Sequence, residues 1–205
     1  MAVKDLLSQY YQRLAQQLHT GLTPLDGLPS LALRLYLVPI FWMAGSSKYR
    51  HFDDTAAWFG NPEWGLGLPM PTLMAGLATA TELAGAALLL IGLATRWIAI
   101  PLAITMIVAA TTVHWDFGWQ AIADPSAPFA NERVVASAEK LSAARELLQQ
   151  HGHYDWLTSS GNFVVLNNGI EFAVTYLLML IALIKLGGGR YVSVDHYLSR
   201  YMRRQ

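Results

Sequence analysis

Lys48, Glu82, His114 and Glu171 each lie at or inside the end of a long apolar run, and Asn167 and Asn168 stand just before the last of them. Ionised groups are costly in hydrocarbon. Those that are kept there usually face a protein interior, a water cavity or one another, and often mark ligand sites or proton paths. A carboxylic acid alone in hydrocarbon stays neutral, whereas a neighbouring ammonium or bound cation favours its ionised form. A set of lysine, glutamates, histidine and asparagines therefore suits a polar ligand, a quinone headgroup, a metal ion or a relayed proton. The plainer alternative is an interhelical hydrogen-bond network that only fixes helix register. Arg34, near the start of the first run, is expected to snorkel to the headgroups.

A second candidate set is histidine-based. His51 is close to Asp53 and Asp54, His114 stands two before Asp116, and His151-Gly152-His153 stands two before Asp155. Imidazole and carboxylate suit copper, zinc or iron, so His51, His114, Asp116, His151 and His153 are candidate metal ligands. Exposed loop histidines are also commonly just solvated. Met70 and Met74 are one helical turn apart, a spacing that fits core packing better than a thioether copper site.

The elements that must position these groups follow from hydropathy. The chain has 205 residues, of which 54% are apolar and 14% charged, with zero formal net charge. Soluble domains carry about 25% charged residues, so this chain is depleted in charge. About 20 apolar residues are needed to span a bilayer and roughly 17 is the lower limit. Four runs qualify, at approximately 31–47, 71–94, 97–113 and 163–186. The expectation is a single domain over 1–205: an all-α, integral membrane four-helix bundle with an amphipathic N-terminal helix and a helical extracytoplasmic loop. A compact bundle would gather Lys48, Glu82, His114, Asn167, Asn168 and Glu171 into its outer half.

Between the runs, Leu6, Leu7, Tyr10, Leu14 and Leu18 recur at helical spacing, as in a helix lying on the membrane surface. Residues 48–69 form an aromatic-rich loop suited to the headgroup boundary. Asn131 can cap a loop helix over about 131–150, and Gly152 can end it. No separate signal peptide is evident, so the first run is expected to be an uncleaved span. Positive residues crowd the side receiving both termini and the Arg96 turn, which predicts both termini in the cytoplasm of a multi-pass bacterial inner-membrane protein.

Cysteine is absent. That excludes thiol–disulfide chemistry and Cys-ligated zinc or iron–sulfur centres. A bis-histidine haem is not expected either, because His114 alone lies near a span. Any redox role must borrow its cofactor, with quinone or copper the candidates. There is no basic excess or nucleic-acid motif, so the bilayer is the expected partner and nucleic acid is not.

Several phrases resemble the DoxX family: Arg34-Leu-Tyr-Leu, the Gly45-x-x-Lys48 end of the first run, Thr81-Glu82-Leu-Ala-Gly85 through Gly92-Leu-Ala-Thr-Arg96, and Gly187-Gly-Gly-Arg190-Tyr-Val-Ser-Val-Asp195. Ala57-Trp-Phe-Gly-Asn-Pro62, Trp64-Gly-Leu-Gly-Leu-Pro69, Thr112-Val-His-Trp-Asp116 and Leu166-Asn-Asn-Gly-Ile-Glu171 resemble its HvfX subgroup. The family resemblance implies a four-helix inner-membrane protein linked to quinone-dependent redox chemistry. The subgroup resemblance implies an accessory role beside maturation or export of copper-binding, ribosomally made modified peptides, with the peptide and its maturation enzymes as partners. On these grounds the chain is expected to be such an accessory protein. The alternatives are a quinone-reactive oxidoreductase subunit or a proton-coupled transport component, the last requiring a homo-oligomer.

Overall fold

The computed structural model describes residues 2–205, apart from the side chains of 2–7 and 18–19. Its helices are α1 (Ala2–Leu22), α2 (Leu28–Arg50), α3 (Phe52–Gly60), α4 (Pro71–Ile91), α5 (Thr95–Val108), α6 (Glu132–His151), α7 (Tyr154–Leu157), α8 (Glu171–Leu186) and α9 (Val194–Met202). Among the described residues the only bridge of β type is a single antiparallel one, Ile122 with Leu166. The proposed apolar face of α1 falls partly on Leu6, Leu7 and Leu18, whose side chains lie outside the described residues; Tyr10 and Leu14 are exposed.

Three stretches among the described residues are long and apolar enough to cross a membrane: Leu28–Arg50, Pro71–Ile91 and Thr95–Phe117. At 1.5 Å per residue, the shortest of these reaches about 31 Å, the thickness of a hydrocarbon core. Only 28%, 33% and 22% of their most apolar windows is buried within the protein. The remainder exposes Leu35, Trp42 and Met43 on α2, Leu73, Leu77 and Leu90 on α4, and Ile100, Ile104 and Ile107 on α5 or its continuation. A soluble helix turns charged residues outward, so these apolar outer faces require lipid. This is a helical membrane protein.

The fourth expected span differs. Residues 163–170 are not helical, and α8 has 16 residues, about 24 Å. The cause is local. Asn168 adopts φ +61°, left-handed backbone that asparagine tolerates and that ends helical continuity. The preceding strand-like stretch instead pairs with 118–123: Ala123 N donates to Val165 O, Asn167 N and Asn168 N to Ala121 O, and Gly169 N to Gln120 O, all at 2.9 Å.

The chain divides into two units, residues Met1–His51, Leu77–Ile100 and Ala182–Gln205 in one, and Phe52–Gly76 and Pro101–Ile181 in the other. In the first, α2 buries Ser30, Arg34, Leu37, Phe41 and Gly45, a stripe at three- and four-residue spacing. Glu82, Ala86 and Leu89 of α4 are buried at the same spacing. The two helices run antiparallel, since Arg34 reaches Leu89 while Gly45 lies against Glu82 and Leu83. Gly92, at φ +64°, closes α4 as Leu93 N returns to Leu88 O and Gly92 N to Leu89 O, a glycine-dependent helix stop.

In the second unit, the helix from α5 loosens into a π-helical stretch, Ala109–His114, and then a 3-10 turn, Trp115–Phe117. Such stretches loosen backbone pairing, and Thr111 and Thr112 hydroxyls here donate back to Ile107 O and Val108 O. Further along, Asn131 Oδ1 accepts from Val134 N and caps α6, and Gly152 N closes its other end on Leu148 O.

Candidate functional site: an intramembrane ion pair

Lys48 lies three residues beyond Gly45, on the side of α2 that carries the buried stripe, so both positions face α4. A Cβ at Gly45 would sit 2.9 Å from Leu83 Cγ and 3.0 Å from Glu82 Cβ. Only glycine lets the two backbones come this close. That approach places Lys48 Nζ 2.8 Å from both Glu82 Oε1 and Oε2. The Glu82 side chain is 5% exposed and that of Lys48 is 26% exposed. A two-oxygen ammonium–carboxylate contact with so little water is far stronger than a surface pair. An ammonium has three donors, so Lys48 keeps a proton for a further acceptor on its open side.

The second unit assembles the other predicted polar residues. His114 Nδ1 is 2.8 Å from Asn168 O. Asn167, 2% exposed, donates to Phe117 O and Gln120 O, and its Oδ1 accepts from Arg133 Nε. Glu171 opens α8, and its Oε2 accepts from Ala121 N at 2.8 Å. The side-chain amide N–H groups and the backbone N–H of Asn167 thereby tie its segment to residues 117–121, and its Oδ1 ties it to α6. This set reads as a built junction, with His114 and Glu171 at its edge.

The histidine set is not drawn together. Among the described residues no three of His, Asp and Glu gather closely enough to hold a metal ion. His151 and His153 are exposed on the α6–α7 turn, and Asp116 is exposed beyond the π-helical stretch.

Arg34 departs from expectation. Instead of snorkelling it is fully buried, with Nη1 donating to Leu89 O at 2.9 Å and Nη2 to Tyr191 O at 2.9 Å and Val192 O at 3.1 Å. Leu89 is in the last turn of α4; its carbonyl accepts from Gly92 N at 3.3 Å and has a second lone pair for Arg34, and a guanidinium fork can serve several such carbonyls at once. Asp195 completes this end of the unit: its carboxylate accepts from Ala94 N at 2.7 Å and Thr95 N at 2.9 Å, capping α5 from a distance, and it interacts electrostatically with Arg34. Ser30 donates to Gly187 O and Ser193 to Gly92 O. Sequence reading gave Ser30 no role and noted Ser193 and Asp195 only as part of the DoxX-like phrase 187–195. The local signal for Ser193 was its position as the cap of α9, whereas a cap donated across about a hundred residues leaves no spacing to read.

The first unit thus combines apolar outer faces with a buried ion pair and a buried arginine clamp, as in a helical membrane protein. Comparison with known proteins places a resemblance here: residues 30–115, less than half of the chain, match the DoxX family model. That stretch contains Arg34, Gly45, Lys48, Glu82 and His114. A Bacillus subtilis (strain 168) protein named "Putative oxidoreductase CatD" is 36% identical over 84 residues, 41% of this chain and 58% of that protein. The chain thus spans less than two thirds of that relative's length. No solved structure matches it. These matches reach the DoxX level and do not extend to the HvfX subgroup.

Proposed function

We propose that this chain is a membrane subunit of a quinone-reactive oxidoreductase, with Lys48 and Glu82 as the headgroup site. The observation that carries this reading is the Lys48–Glu82 pair, buried on its carboxylate side and open on its ammonium side. The B. subtilis relative named as an oxidoreductase points the same way. Reduction of a quinone consumes two electrons and two protons. In this reading Lys48 donates its remaining N–H to a quinone carbonyl oxygen, and the pair holds one exchangeable proton beside it. The electrons come from a partner enzyme that carries its own redox centre.

We further place the protein in the bacterial inner membrane with both ends cytoplasmic and α8 as the fourth crossing. At 16 residues α8 needs local bilayer thinning, with Lys185 reaching the headgroups. The copper-peptide role rests on the HvfX-like phrases, and the scattered histidines favour it less than the ion pair favours a quinone.

Saturable binding of a short-chain ubiquinone analogue to the purified protein in lipid nanodiscs tests the reading. Wild type should bind, and Glu82→Gln and Lys48→Met should each weaken binding by about ten-fold or more. No saturable binding by wild type, or equal binding by both variants, would overturn it. Stoichiometric copper on wild type without quinone binding would transfer the case to the copper role.

A further inference from the structure

A recess of about 430 Å3 lies at the end of the first unit where α4 turns into α5, walled by Arg96, Trp97, Gly187, Gly188, His196 and Ser199 among others. We propose that it binds the phosphate of an anionic membrane lipid. This does not depend on the Lys48–Glu82 reading.

The charge argument comes first. Arg96 is exposed and makes no hydrogen bond or ion pair with any described side chain or carbonyl. It lies across Gly187: a Cβ there would meet Arg96 Nε at 2.7 Å, and Gly187 has φ +72°. The loop after α8 is therefore shaped by glycine to admit a guanidinium at its mouth. Asp195 lines the same recess, yet both its oxygens accept from Ala94 N and Thr95 N, and its charge is offset by its electrostatic interaction with Arg34. The recess thus offers a cation with a fork of donors that is not ion-paired with Asp195, the one acid in its lining, which is held by the α4–α5 turn amides. A guanidinium fork matches two oxygens of a phosphate. His196, whose ring packs edge-on against Tyr197, adds a second nitrogen donor at the wall.

The setting argues for lipid over free phosphate. Trp97, 77% exposed, stands at the rim, and tryptophan concentrates at the membrane–water boundary. Leu186 also lines the recess and is exposed, giving an apolar edge for the glycerol and upper acyl segment. α9 exposes Tyr197, Leu198, Tyr201 and Met202, and residues 196–205 contain Arg200, Arg203 and Arg204 with no acid. An amphipathic helix followed directly by basic residues, as α9 is by Arg203 and Arg204, suits the headgroup plane, and basic pockets at the ends of spanning helices bind anionic headgroups.

Native mass spectrometry of the full chain, titrated with phosphatidylglycerol or phosphatidylcholine, provides the test. Wild type should retain phosphatidylglycerol in preference to phosphatidylcholine. Arg96→Gln should weaken phosphatidylglycerol binding by about ten-fold, the loss of one charge-assisted contact. Arg203→Gln with Arg204→Gln should change it less than about two-fold, because those residues act only through the diffuse surface field. Thermal melting of Arg96→Gln unchanged from wild type guards against misfolding; if it melts lower, His196→Gln replaces it, with a several-fold loss expected. Equal retention of both lipids by wild type, unchanged binding in Arg96→Gln and His196→Gln, or loss confined to the tail variant would overturn the proposal. Displacement of the lipid by millimolar inorganic phosphate, with phosphate bound as tightly, would overturn the lipid assignment in favour of a free-phosphate site.

Discussion

Replacing Arg34 with alanine should be among the most damaging single changes in this protein. The side chain is fully buried, and its guanidinium donates to the carbonyls of Leu89, Tyr191 and Val192 at 2.9, 2.9 and 3.1 Å. A hydrogen bond to a charged group contributes about 1.5–3 kcal/mol. Water reaching the vacated site would restore part of that, while Asp195 would lose a compensating charge. Breaking a buried charged arrangement on one side costs roughly 3–5 kcal/mol, and we adopt that range. For a chain of this size each kcal/mol moves the melting temperature by about 2–4 °C, so Arg34→Ala should melt roughly 6 °C or more below wild type. Arg34→Lys retains the charge but cannot fork between α4 and the 191–192 segment, and should fall between the two. The assay is thermal unfolding in a mild detergent, followed by tryptophan fluorescence at a fixed scan rate. An arginine that only snorkelled to headgroups would give a neutral lysine variant and a small alanine effect. Arg34→Ala melting within about 2 °C of wild type would refute the clamp.

Three further outcomes follow from the geometry. Lys48→Met leaves Glu82 buried without its cation and should cost about 3–5 kcal/mol, whereas Lys48→Met with Glu82→Leu should recover most of that; additive losses in the double-mutant cycle would show that the pair is not coupled. Gly45→Leu should lower stability and weaken quinone-analogue binding together by forcing α2 away from Leu83 and Glu82, and an unchanged melting curve would show that close approach is not required. At Asn168, φ +61°, glycine should be tolerated while valine should destabilise by about 1–2 kcal/mol, measured as the melting shift; valine equal to wild type would contradict the left-handed backbone.

Much of the helical framework was written locally. The three stretches long enough to span a membrane follow from run length against a rise of 1.5 Å per residue, a property of contiguous residues. Asn131 and Gly152 bracket α6 for similarly local reasons of side-chain and backbone capping. The run at 163–186 misled because hydropathy counts side chains and not dihedral angles: Phe163 to Leu166 are apolar enough for a span, but the Asn167-Asn168-Gly169 turn gives their backbone other partners. The histidine spacings were likewise local facts that the fold does not convert into a ligand cluster.

From sequence alone came the membrane character, the helix lengths and the expectation that Lys48 and Glu82 are special, because the cost of ionisable groups in hydrocarbon depends only on where they fall in the run. Tertiary structure decided who meets whom. Gly45 brings Lys48 within 2.8 Å of a carboxylate 34 positions away, and Arg34 finds carbonyls as much as 158 positions away. Those partnerships depend on helix register and close backbone approach, and neither leaves a mark in the order of neighbouring residues. The same contacts turned Arg34 from a headgroup anchor into an internal clamp: the carbonyls of Leu89, Tyr191 and Val192 converge on its guanidinium in place of water.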